Sequence, residues 1–184
     1  MKNLLLIIMA IVGSFCSGGC GETSQSAGSS VTVPEIAFIC VSQREYDPEN
    51  LSGRTYVTFF SSDGCYYSSD HDPFSSQTFE KMIKDFSSGE GYVAKLTQTC
   101  PKEEIAAQCR KLPSIKSELD YPEVMPDVES GKATWYGLYY DENGKLCSVT
   151  LHAYDRMTQV YSKDSTANEI YEWYTKAIKL DKAQ

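Results

Sequence analysis

Thr134-Trp135-Tyr136-Gly137-Leu138-Tyr139-Tyr140, then Asp141-Glu142-Asn143-Gly144, then Leu146-Cys147-Ser148-Val149-Thr150-Leu151-His152-Ala153-Tyr154 is the stretch that decides the fold. Both flanks are rich in β-branched and aromatic residues, which fit a pleated surface. Between them Asn143-Gly144 supplies the positive φ angles that a tight turn demands. The stretch therefore predicts a hairpin of two long antiparallel strands. Alternation puts Trp135 and Tyr139 on one face of the sheet and Tyr136 and Tyr140 on the other. If helices cover only one face, one pair is left facing solvent.

Upstream, Ile36, Phe38 and Cys40 alternate with Ala37, Ile39 and Val41, which reads as a strand buried on both faces. Arg54 to Ser61 contains Tyr56-Val57-Thr58-Phe59-Phe60, and Asp63-Gly64 turns the chain back through Cys65-Tyr66-Tyr67. A helix is expected from Ser75 as N-cap, with Phe74 and Phe79 as a hydrophobic staple. Its apolar stripe is Phe79, Met82, Ile83 and Phe86, and Gly89 or Gly91 ends it. Tyr92 to Thr97 reads as a further strand.

Pro101 opens a second helix, in which Glu103 and Glu104 early and Arg110 and Lys111 late complement the helix dipole. Its stripe is Ile105, Cys109 and Leu112, and Pro113 stops it. Residues 114–131 read as a long acidic loop. The last helix is expected to open with the capping box Thr166-Ala167-Asn168-Glu169 and to carry Ile170, Trp173, Tyr174, Ala177 and Ile178 on one face. The two hairpins echo each other, Tyr56 through Gly64 and Trp135 through Gly144, each ahead of a helix. Shared rules of hairpin construction account for so few matched letters without a duplication. The sum is a single α+β domain over residues 33–184, an antiparallel-rich sheet of about six strands with three helices mainly on one face.

Ahead of the domain lies a leader. Lys2 is followed by the uncharged apolar run Leu4-Leu5-Leu6-Ile7-Ile8-Met9-Ala10-Ile11-Val12 and by small residues up to Gly19. That run falls short of the roughly 20 apolar residues that cross a bilayer, so residues 1–19 read as a cleaved secretory signal peptide. Ser17-Gly18-Gly19-Cys20 resembles the lipobox of bacterial lipoproteins, where small residues precede a Cys whose thiol takes a diacylglycerol. Ser17 stands where the pattern usually has Leu. The resemblance implies lipidation at Cys20, with Cys16 as the alternative acceptor, and a location on a bacterial membrane facing outside the cytoplasm. An ordinary signal cut would instead leave Cys20 as a free thiol. Gly21 to Ser30 is rich in Ser and Gly and completes a flexible tether over residues 20–32, with a typical reach of roughly 15–20 Å.

Charge narrows the partners. The 184-residue chain carries a net charge of −8. Loss of residues 1–19 removes Lys2 and no acidic side chain, leaving 16 basic groups against 25 acidic ones and a net charge of −9. Nucleic acid and anionic lipid both call for basic patches, so neither is expected as a partner, and membrane attachment falls to the lipid anchor. Cys40, Cys65, Cys100, Cys109 and Cys147 lie in the domain. Their number is odd, and Cys100 and Cys109 bracket a helix that holds them over about 12 Å apart, beyond disulfide reach.

Chemical motifs are sparse. Gly89-Glu90-Gly91-Tyr92-Val93-Ala94 has the letters of a dinucleotide fingerprint but follows a helix and opens a strand, the reverse of what phosphate binding requires. Cys147 and His152, five apart on one strand, are expected on opposite faces. Cys65 with His71 is the other thiol–imidazole combination, read as a packed Cys and an exposed His. Asp70-His71-Asp72 with Asp63 lacks the spaced ligand set of a zinc or calcium site, so no metal and no cofactor is expected. No catalytic residue is assigned.

The candidate binding residues are the aromatic strand, Trp135, Tyr136, Tyr139 and Tyr140, and the acidic stretch with Glu118, Asp120 and Glu123. The expected function is a non-enzymatic domain making protein contacts at the cell envelope. The second reading is a module for envelope or environmental glycans that stack on the exposed aromatics. The third is a hydrolase with a dispersed carboxylate site.

Overall fold

The structure, a computed structural model, describes residues 31–44, 54–69, 77–91, 93–116, 118–120, 131–155 and 158–179. Its centre is β1 (Ile36–Arg44), whose first five residues are all buried. A strand apolar on both sides needs cover on both faces, and β1 lies inside the sheet. It pairs with β2 (Arg54–Ser61) on one side and β6 (Gly131–Tyr140) on the other. Beyond β2 come β3 (Cys65–Ser69) and β4 (Ala94–Thr99). Beyond β6 come β7 (Leu146–Asp155), β8 (Thr158–Ser162) and the two-residue β5 (Leu119–Asp120). The order is β4-β3-β2-β1-β6-β7-β8-β5, with every pair antiparallel. All six expected strands are present, and the short β5 and β8 complete the sheet.

Among the described residues three helices cover it: α1 (Phe79–Ser88), α2 (Lys102–Cys109) and α3 (Ser165–Lys179). Two of them lie on one face. There α2 and α3 set Ile105, Cys109, Ile170 and Tyr174 against Phe38, Phe60, Tyr66, Val149 and Leu151. On the other face α1 sets Met82 and Ile83 against Ile36, Ile39, Val57, Phe59 and Leu138. The α+β class with helices mainly on one face is therefore the architecture seen.

Several local expectations need correction. The N-cap of α1 is Thr78, whose hydroxyl accepts from the Lys81 N–H at 3.4 Å; Ser75 and Phe74 fall outside the described residues. The helix ends at Gly89, φ 73°, with the Glu90 and Gly91 amides folded back onto the Asp85 carbonyl. Pro101 is the N-cap of α2 rather than its first residue. That helix closes at Cys109, so Arg110 and Lys111 lie past its last turn, and Leu112–Ser114 form a separate 3-10 turn containing Pro113. The proposed acidic loop at 114–131 is interrupted: Ile115 is buried, and Leu119 and Asp120 pair with Ser162 and Tyr161. At α3 the cap is Asp164, not Thr166. Its Oδ1 accepts from the Thr166 N–H at 2.9 Å and its Oδ2 from the Lys116 N–H at 3.1 Å, so one carboxylate starts the helix and ties down a distant segment.

Single extra residues break the alternation of β1 and β7. Ile36 pairs with Ser61 and Phe38 with Phe60, leaving Ala37 as a bulge in β1. Trp135 pairs with His152 and Tyr136 with Thr150, leaving Leu151 as a bulge in β7. A bulge sends consecutive side chains to one side. Ala37 and Phe38 accordingly share the α2/α3 layer, and Leu151 and His152 do the same.

The sheet also has two unlike ends. The segment from Val31 enters beside the end of β6, where the Tyr140 N–H donates to the Thr32 carbonyl at 3.1 Å. The β2–β3 turn, the β6–β7 turn and the step from β4 into α2 lie at that same end. There the Cys100 N–H donates to the Gly64 carbonyl at 2.8 Å. Gly64 has φ 86°, and a Cβ on it would meet the Cys100 carbonyl oxygen, so that junction requires glycine. The strand termini joined by residues 45–53, 70–76, 121–130 and 156–157 all lie at the opposite end. The hairpin echo stops short of a duplication: α1 and α3 cover opposite faces, and β8 intervenes before α3.

Candidate functional site

The aromatic strand β6 alternates as its sequence requires, but both of its faces are covered. Trp135 faces α3, its ring 5.2 Å from Tyr171, 5.4 Å from His152 and 6.1 Å from Tyr154. Tyr136 faces α1, its ring 5.1 Å from Phe79 in an edge-on contact. These two are sheet-to-helix packing, and the four aromatics form no common platform. Tyr139 and Tyr140, at the end of the strand, remain half-buried beside a groove.

That groove, about 670 Å³, lies around the β6–β7 turn and is lined by Tyr139, Tyr140, Asp141, Glu142, Thr32 and Pro113 among others. Asp141 holds the turn in shape, its Oδ1 accepting from the Asn143 N–H at 2.9 Å and the Lys145 N–H at 2.8 Å. Gly144 takes the left-handed conformation, φ 74°. Burial pushes the Tyr140 phenol above its ordinary range, and the carboxylates of Glu35 and Glu80 push it the same way. Tyr139 is raised first by burial, then by Cys147 and Asp141. The two rings stand on opposite faces of the sheet, Tyr139 on the side of Trp135 and Tyr140 on the side of Tyr136, and so have different charged neighbours.

The acidic candidates are not brought to this groove. Glu118 is exposed and its carbonyl accepts from the Lys163 N–H at 2.9 Å. Asp120 pairs with β8 through its backbone, on an edge strand three places from β6, or about 14 Å across the sheet. Glu123 lies outside the described residues.

The thiol–imidazole geometry also differs from expectation. The Leu151 bulge puts Cys147 and His152 on the same face, where they pair with Tyr139 and Trp135. Four residues of β6 still separate them, roughly 13 Å along the strand, too far for proton transfer. His152 is buried against Tyr171, ring centroids 4.0 Å apart, and desolvation lowers its pKa to about 4. Asp63 sits in the turn at the far end of β3 from residue 70, and residues 70–72 lie outside the described residues.

Sequence reasoning missed three polar groupings, each assembled across strands or helices and so without a local signal. Tyr174 donates to the Tyr66 hydroxyl at 3.3 Å inside the core, close to Cys40, whose thiol burial pushes up to about 12. Glu104 accepts from the Trp173 indole N–H at 2.7 Å and from the Cys100 thiol at 3.5 Å. Burial, joined by the Glu104 carboxylate, drives Cys100 up to about 12, and burial does the same at Cys109. All five domain cysteines are free, and these three thiols stay protonated at neutral pH, which suits packing rather than nucleophilic attack. At the β4 edge, hydrogen bonding to Cys65 holds Lys95 above its usual range, while the Ser61 hydroxyl donates to Asp63 and lowers it.

A second groove, about 600 Å³, is lined by Tyr56, Thr58, Ser68, Ser69, Gly91, Val93 and Ala94. Among the described residues no helix is long and apolar enough to cross a membrane. No family model, no curated protein and no solved structure matches this chain.

Proposed function

We propose that the chain is an exported lipoprotein, anchored through Cys20, whose domain makes protein contacts at the bacterial cell envelope without catalysing a reaction. The observation that carries this reading is the polarity of the sheet. Val31 and Thr32 end the tether, and around them gather the tight turns of the domain. Anchoring there would hold that end within roughly 15–20 Å of the membrane and turn the opposite end outward. The connections leaving the outward end carry Glu45, Asp47, Glu49, Asp70, Asp72, Glu123, Asp127 and Glu129 against the single basic Arg156. Such a charge favours a protein with a basic surface over nucleic acid or anionic lipid. A glycan-binding reading would rest on Tyr139 and Tyr140 alone, since Trp135 and Tyr136 are engaged by helices.

The test places a photo-crosslinking side chain at exposed positions on each end in intact cells. Gln43 and Lys132 report on the outward end, and Asp63 and Asn143 on the tether end. A protein adduct from the first two positions and not the last two, lost in Cys20→Ser, is the expected result. Adducts of equal yield from both ends, or adducts unaffected by Cys20→Ser, would overturn it.

A further inference from the structure

Ile115 is buried, whereas Lys116 and Glu118 are exposed and Leu119 is half-buried. No described side chain from Lys116 to Leu119 is therefore sealed in the core. Hydrogen bonds hold this stretch along the outer side of β8 instead. The Lys116 N–H donates to Asp164 Oδ2 at 3.1 Å, and the Glu118 carbonyl accepts from the Lys163 N–H at 2.9 Å. Leu119 and Asp120 then pair with Ser162 and Tyr161 as the two-residue β5. Segments with few buried apolar contacts open locally at a small cost compared with unfolding the domain.

What lies beneath it is fastened independently. On its inner side β8 pairs with β7 from Thr158 to Tyr161. The corner after β8 is held from α3: the Asp164 N–H donates to the Ser162 hydroxyl at 3.1 Å, and Asn168 Nδ2 donates to the Ser162 carbonyl at 2.9 Å. Asp164 Oδ1 meanwhile accepts from the Thr166 N–H at 2.9 Å. That corner keeps its shape when residues 116–120 leave it. We propose that residues 116–120 are a detachable strap, latched by the Asp164 carboxylate, which opens and recloses while the rest of the sheet stays folded. Release bares the outer backbone edge of β8. It also adds up to about 17 Å of chain to the connection 121–130, which carries Glu123, Asp127 and Glu129. The latch thus sets how far those carboxylates reach, whether or not the domain is anchored.

Residue-resolved amide hydrogen exchange on the full chain in nonionic detergent tests this. The Lys116 and Lys163 amides are expected to be at least about a hundredfold less protected than amides in the middle of β1. Lys116→Pro deletes the donor to Asp164 and leaves the α3 cap in place. Ile115, at φ −73° and ψ 128°, already has the extended conformation that a following proline requires. In that variant the Lys163 amide should lose about tenfold more protection while the Thr166 amide stays as it was. The proposal is overturned if Lys116 and Lys163 are as protected as β1, if Lys116→Pro leaves Lys163 unchanged, or if Thr166 loosens along with it.

Discussion

The two faces of the sheet are built to different specifications. On the α2/α3 face the layer is wide and admits polar atoms: Cys40, Cys100, Cys109, His152 and the Tyr66–Tyr174 pair are all buried there. On the α1 face the buried cluster is Ile36, Ile39, Val57, Phe59, Met82, Ile83 and Leu138, and the polar residues buried on that side are Ser61 and Ser69, which pair with Ile36 and Val57, and Asp85 of α1. The two helices aim buried donors at acceptors on the sheet, the Cys109 thiol at the Leu138 carbonyl at 4.0 Å and the Tyr174 hydroxyl at the Tyr66 hydroxyl at 3.3 Å. Under α1 the partners are local: the Ser61 hydroxyl donates to the Cys65 carbonyl at 3.0 Å, and the Lys81 ammonium donates to Asp85 Oδ2 at 2.8 Å. The comparison teaches that the layers differ in where buried polar groups find partners, across the layer under α2 and α3 and within their own turn or helix under α1, because an unanswered buried donor costs about 1–3 kcal/mol.

The largest effect should come from neighbouring phenylalanines that point to opposite faces. Phe60 touches Tyr66, Trp173 and Tyr174 in the wide layer, and Phe59 touches Tyr67 and Phe86 under α1. Phe60→Ala is expected to cost about 4 kcal/mol and Phe59→Ala about 3, since a lone helix settles more easily into a vacated space. Denaturant unfolding of the two variants measures both, and a reversed order would break the comparison.

Acid separates the faces next. The folded pKa of His152, about 4, lies below its ordinary 6.5, so on acidification the unfolded chain takes up a proton first. The stabilisation is full above pH 6.5, declines between 6.5 and 4, and levels off below. The loss is on the order of 2 kcal/mol. In His152→Phe the decline across that window should vanish in pH-dependent unfolding; its persistence would place the acid sensitivity elsewhere.

The smallest effect sharpens the packing of the wide layer. A Cβ on Gly137 would come within 2.5 Å of the Leu112 Cδ2 atom. The obstacle is a side chain rather than backbone, so Gly137→Ala should cost only about 1 kcal/mol. Adding Leu112→Val should recover part of that in the double variant. Failure to recover would show that the sheet, and not Leu112, has moved.

What was legible in the sequence was what local chemistry dictates. Asp63-Gly64 and Asn143-Gly144 announced their turns, and the buried run from Ile36 announced a central strand. The short β5 and β8 escaped because two to five residues at an edge carry little periodicity. Asp164 and Thr166 are both capping residues, and the choice between them turned on Lys116, which arrives from another part of the chain. Face assignments failed at Leu151 because a bulge is visible only once the partner strand is known. Beside the groove, Tyr139 and Tyr140 stood out as aromatics. The charged neighbours of Tyr140, Glu35 and Glu80, did not, since only the packing of α1 and the approach to β1 set them there.

The bulges at Ala37 and Leu151 bear on how this domain tolerates change in its gene. Loss of a single codon inside a strand normally exchanges every later side chain between layers. Here a deletion at codon 151 would restore regular pairing between β6 and β7 and leave His152 opposite Trp135, but it would empty the space that the buried Leu151 side chain fills. Reading-frame-preserving deletions should thus be purged from β7 even at the one position where the hydrogen-bond ladder itself has a residue to spare.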